Sequence, residues 1–137
     1  MRLLSLASKI LFLSLTVLFA TSAFAEESKV FFKSPADNAE VKNPFTIEMG
    51  VEGMTVAPAG VVVAKQGHHH IIIDGKPIPE GEVIVSDPSH IHFGKGQTTH
   101  KMILIPGKHT LTLQFGDGAH RSYGPAMSQT ISILVKN

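Results

Sequence analysis

The stretch Gly67-His68-His69-His70-Ile71-Ile72-Ile73-Asp74 decides how this chain reads. Three adjacent histidines run directly into three β-branched residues. Isoleucine is at home on a pleated, half-buried backbone, so residues 68–73 read as a strand entering a core. Side chains alternate across a strand. His69 therefore shares a face with Ile71 and Ile73, while His68 and His70 share one with Ile72 and Asp74. One face must turn inward, and the histidines stand where core gives way to rim.

Working outward, Phe45 to Val51 alternates at period two and places Phe45, Ile47, Met49 and Val51 on one face. Residues 29–33 form a short strand stopped by Ser34-Pro35, and residues 36–44 read as a turn region rich in Asp, Asn and Pro. Residues 53–67 hold Gly, Pro and a Val61-Val62-Val63 run and read as a loop that partly packs. Residues 78–97, with Pro79, Gly81, Pro88, Gly94 and Gly96, form a long connection. Residues 98–105 and 108–115, joined by a tight Pro106-Gly107 turn, read as the clearest hairpin of the chain. In the second of these strands Leu111, Leu113 and Phe115 alternate against Thr110, Thr112 and Gln114. Residues 128–135 close the domain with Ile131, Ile133 and Val135 on one face. No helical stripe appears after residue 25. The pattern predicts an all-β domain, a single antiparallel β-sandwich with an immunoglobulin-like Greek key, with a small β-barrel as the alternative.

The first 25 residues read differently. Arg2 and Lys9 precede an apolar run from Ile10 to Ala20, and Ala23-Phe24-Ala25 has the small-x-small form of a cleavage site. Residues 1–25 are expected to be a signal peptide and residues 26–137 the domain, in the periplasm or secreted. The apolar run is short for a membrane span, so no stable insertion is expected once it is removed. Lys and Arg number 12 against 11 Asp and Glu. With Arg2 and Lys9 in the leader, the remainder is close to neutral and offers no basis for binding nucleic acid. There is no Cys, which excludes a disulfide framework, a thiolate nucleophile and a lipidated cysteine.

All eight histidines follow the leader. Two His-x-His pairs occur, His68-x-His70 and His90-x-His92. Residues i and i+2 of a strand project from one face about 6.6 Å apart, and two imidazoles at that spacing can lean onto one ion. In the predicted topology the start of the 68–73 strand lies beside the end of the 108–115 strand. His120, in the loop that follows, and the segment carrying His90 and His92 then fall at the same end. His68, His70, His90, His92 and His120 are the candidate metal ligands. An imidazole set suits copper or zinc. Asp74 or Asp117 is available as a carboxylate ligand or ring orienter. Met54 and Met127 lie at the same end and would favour copper(I).

At each position a plainer role competes. The inward-facing histidine of the triplet can be a core residue bonded to carbonyls. His90 and His92 can belong to a solvated loop. His100 reads as a packing residue and His109 as a tie across the Pro106-Gly107 turn. Met49 and Met102 read as core, and Tyr123 either lines the site or caps the sandwich. Gly-x-Ser-x-Gly and His-Glu-x-x-His are absent, and Gly94-Lys95-Gly96-Gln97-Thr98 lacks the spacing of a phosphate loop. A metalloenzyme would need an open coordination position and a substrate pocket, neither of which is visible, so no enzyme is expected.

Four segments together carry a resemblance: Gly67 to Asp74; His90-Ile91-His92-Phe93-Gly94-Lys95-Gly96-Gln97-Thr98; Pro106-Gly107-Lys108-His109 running on to Leu113; and Gly116-Asp117 with His120. In this order the chain resembles, over most of residues 30–135, the short exported bacterial proteins of the domain-of-unknown-function 4399 family. The resemblance implies export and one compact β domain, and no particular activity. In style it is similar to small periplasmic copper carriers of immunoglobulin-like fold. The N-terminal amine beside a His used by such carriers is missing at the expected start, Glu26-Glu27. The reading reached is an exported metal-binding module that stores or delivers copper or zinc, with another periplasmic protein as a partner. The alternative is an envelope-interaction module whose histidines form a hydrogen-bond network without metal.

Overall fold

The computed structural model describes residues 26–137; the expected signal peptide lies outside them. The described residues form nine strands: β1 Lys29–Ser34, β2 Ala39–Lys42, β3 Phe45–Glu52, β4 Thr55–Val56, β5 Gln66–Ile73, β6 His90–His92, β7 Thr99–Met102, β8 Gly107–Gly116 and β9 Ser128–Lys136. A 3-10 turn, Pro125–Met127, precedes β9. Among the described residues no helix is long and apolar enough to cross a membrane.

The strands make two sheets, one ordered β1-β3-β7 and one ordered β2-β9-β8-β5-β4, with β6 paired to the same edge of β5 as β4. They enclose one core. Phe45, Ile47 and Met49 of β3 and Met102 of β7 meet Ile71 of β5, Leu111, Leu113 and Phe115 of β8, and Ile131, Ile133 and Val135 of β9. These are the apolar halves of the period-two alternations, so the same periodicity that forms each strand supplies its buried face.

Two expectations are corrected. Residues 98–105 and 108–115 are not a hairpin. β7 pairs with β3, β8 pairs with β5 and β9, and the chain crosses between sheets at 103–106. The Asn43 side chain holds that crossing, donating to the Leu104 carbonyl at 2.6 Å and accepting from the Leu104 N–H at 3.1 Å. It thereby takes the place of a ladder partner on the β3 side. Residues 36–44 contain a strand, β2, which pairs parallel with β9. Its four residues are too few for a period to show. The 53–67 loop packs against the core through Met54 and Val56, while Val61, Val62 and Val63 are exposed.

The outer face of the larger sheet is buried in part. Thr112 and Gln114 are fully buried, as are Ile72, His68 and His70 on the same side. The connection after β5 folds back over them. Gln114 anchors this cover, accepting from the Ile78 N–H at 3.0 Å and donating to the Gly124 and Met127 carbonyls at 3.0 and 3.2 Å. The Ser122 hydroxyl donates to the Ile78 carbonyl at 2.8 Å. The larger sheet is thus covered on its outer face along β5 and the second half of β8, while Thr130 and Ser132 of β9 stay exposed.

Candidate metal centre

Because His68 and His70 alternate with the core-facing Ile71, the fold of β5 turns them to the outer face, beneath the cover. β6 lies antiparallel beside β5 with His92 opposite His70, so those rings share that face. On the other side of β5, His68 stands opposite Gly116, and the loop that leaves β8 there carries His120. The four rings converge. One ring nitrogen from each of His68, His70, His92 and His120 falls within a set whose members all lie within 4.8 Å of one another. His68 Nε2 is 3.1 Å from both His120 Nδ1 and His92 Nε2. Imidazole nitrogens bound at about 2.0–2.1 Å to one tetrahedral ion would stand about 3.3 Å apart, so modest ring movement separates this arrangement from ligation.

Two glycines make the gathering possible. A Cβ at Gly94 would lie 2.2 Å from His92 Cε1, so the ring rests against bare backbone. At Gly116 a Cβ would lie 3.2 Å from His70 Nε2 and 3.0 Å from the Ile84 side chain that covers it. Any side chain at either position would crowd the rings.

The electrostatics favour neutral imidazoles. Burial, and then the neighbouring His92 and His120 rings, lower the pKa of His68 from 6.5 to about 4. Burial and the surrounding imidazoles lower that of His70 to about 3. His92 is lowered by burial and by His120. At neutral pH these rings carry lone pairs and no charge to be displaced. The hydrogen-bonding capacity of the site is unspent. His68 Nδ1 and both nitrogens of His70 are buried without a partner, although buried polar atoms are ordinarily bonded. The donor set therefore fits a borderline cation such as zinc or copper(II).

The remaining candidates stand elsewhere. His90 lies opposite Ile72, one strand repeat beyond the cluster, and its Nδ1 is 2.9 Å from the Asp87 carboxylate. It is not among the gathered rings. Asp74 accepts from His109 Nδ1 at 2.8 Å and from the Thr110 N–H at 2.9 Å. His109 Nε2 donates to the Ile105 carbonyl at 2.8 Å, so His109 does tie the crossing between sheets. Burial opposes the charged ring, but both of its partners are acceptors, and together they raise its pKa. Asp117 shapes the His120 loop, its carboxylate accepting from the Ala119 and Arg121 N–H groups at 2.8 and 2.9 Å. Met127 is buried in the core and Met54 packs against it. The Tyr123 hydroxyl donates to the Gln66 carbonyl at 2.7 Å and holds the start of β5. His100 packs edge-on against Phe93.

His69 faces the core beside Phe115. It is not bonded to carbonyls, because neither ring nitrogen has a partner. Sequence reasoning passed over Gly94, Gly116 and Gln114. The glycines looked like turn residues, and Gln114 sat on the polar side of an alternation.

Fold and site together define an all-β domain with four imidazoles gathered under the covered face of its larger sheet. Residues 47–136 match the family described as Domain of unknown function (DUF4399), and the chain belongs to that family. No curated protein and no solved structure matches it.

Proposed function

We propose that this protein is an exported, non-enzymatic metal-binding module that holds one copper or zinc ion on His68, His70, His92 and His120 for storage or delivery. The observation that carries the reading is the convergence of four ring nitrogens within 4.8 Å, with the buried nitrogens of His70 lacking any protein partner. When bound, the ion would act as the common acceptor of the four lone pairs. Delivery in the periplasm would place another periplasmic protein at the receiving end. The arrangement β1-β3-β7 against β9-β8-β5 supports an immunoglobulin-like sandwich as the finer description of the fold.

Equilibrium dialysis of residues 26–137 against zinc and copper(II) tests the function. One ion per chain at micromolar free metal is expected for the wild type. Gly94→Ala, which drives a methyl into the His92 ring, should keep its β-sheet circular dichroism and lose most of that binding. Stoichiometry near zero for the wild type overturns the proposal.

A second reading is favoured by the two 3.1 Å contacts made by His68 Nε2. Here the histidines form a metal-free hydrogen-bond network in an envelope-interaction module. A nitrogen with one proton or one lone pair serves only one of two such neighbours well, and the network leaves His70 unbonded. Dialysis separates the two readings.

A further inference from the structure

Resting on the metal reading, we infer that His120 is the exchangeable ligand, the position at which an incoming donor displaces the protein and the ion enters and leaves. His68, His70 and His92 are held differently from His120. The first three sit on β5 and β6, whose backbones are locked in a ladder with His70 opposite His92. Ligands on strands of a sheet are held more precisely than ligands on loops. His120 comes from the loop between β8 and β9 and has φ of 64°, a left-handed conformation that costs a non-glycine residue energy. Moving His120 away disturbs its loop, whereas moving any of the others disturbs a strand ladder.

Access agrees with this division. His68 and His70 are fully buried, while His92 and His120 are partly open. His92 is backed by Gly94, leaving the His120 loop as the movable wall. That loop is attached to two neighbouring segments: the Gly60 N–H donates to the Gly118 carbonyl and the Ile84 N–H to the His120 carbonyl, each at 2.8 Å, while the Gly81 N–H donates to the Ser122 carbonyl at 2.9 Å and the Ser122 N–H to the Glu82 carbonyl at 2.8 Å. The segments supplying those bonds carry the exposed Val61, Val62, Val83 and Val85. The open side of the site is thus a loop between two apolar shoulders, and three imidazoles remain to hold the ion while the fourth is replaced.

The test uses residues 26–137 with copper(II) as the metal and free imidazole as the incoming donor. His120→Asn keeps a residue that tolerates the left-handed backbone, and His120→Gly removes the side chain altogether. Both should bind copper more weakly than wild type, should regain binding with one equivalent of imidazole and a shift in the copper electron paramagnetic resonance spectrum, and should surrender copper to a chelator faster than wild type. His92→Ala, with only two strand-held ligands left, should lose stoichiometric copper. If both His120 variants lose copper while His92→Ala keeps it, or if imidazole binds them no more readily than wild type, the assignment is overturned. A wild-type chain that takes up no copper overturns the metal reading itself, and the exchange role with it.

Discussion

His69 is fully buried with two ring nitrogens that bond to nothing. Neighbouring His68 has the same chemistry but points to the opposite face, where other imidazoles meet it. Strand alternation alone separates the two roles. An unpartnered buried polar group costs about 1–3 kcal/mol, and its replacement by an apolar group of similar shape recovers much of that. His69→Met should therefore raise the urea midpoint at neutral pH and leave metal stoichiometry unchanged. A lower midpoint would mean that His69 has a stabilising partner after all. His109 stands at the other extreme, with both nitrogens bonded and its pKa raised. Burial opposes that rise, but the Asp74 carboxylate and the Ile105 carbonyl outweigh it.

At the scale of the element, β5 is a strand carrying three histidines that resist protonation. Burial lowers His68 and His69 to about 4 and His70 to about 3, against 6.5 in the unfolded chain. Between those values the unfolded state holds more protons than the folded one, so stability falls as pH falls. Each ring contributes up to about 1.4 kcal/mol per pH unit across that window. The raised pKa of His109 works in the opposite sense, and its contribution is lost as pH rises through the folded value. Three lowered rings outweigh one raised ring. The urea midpoint of the metal-free protein should drop steadily from about pH 6.5 to about pH 4, and a flat profile would contradict the burial of the cluster. β6 shows how little separates a gathered ring from an outlying one. His92 and His90 lie on one face, yet the register puts His92 opposite His70 and leaves His90 beyond it, bonded to Asp87.

Across the whole molecule the candidate ligands come from β5, from β6 and from the loop between β8 and β9. Residues 74–89 separate β5 from β6, and β7 and β8 separate β6 from the His120 loop, so the four-ring site exists only once the sheet is assembled and its connections have folded over it. A ligand that binds only the folded state stabilises it by mass action, about 2.7 kcal/mol at a free concentration of about 100 times Kd. Saturating zinc should raise the melting temperature, and a chelator should restore the metal-free value. An identical melting temperature with and without zinc would argue that the rings do not act together. The cover also explains why β8, with Thr112 and Gln114 on its outer side, buries them. Gln114 spends its amide on the cover's backbone, which makes a polar residue the anchor of a buried layer.

Alternation by itself determined the major strands, their core faces and the pairing of His68 with His70, because the period of a strand is a local property of the backbone. The family, too, was legible in the ordered motifs from Gly67 to His120. Tertiary structure alone decided that residues 99–102 join β3 and not the following strand, that His92 enters the cluster while His90 stays out, and that the outer face is covered along β5. Each of these depends on register or on a long connection folding back. Such choices are made by contacts between segments distant in the chain, and a periodic pattern carries no information about which distant segment it will meet.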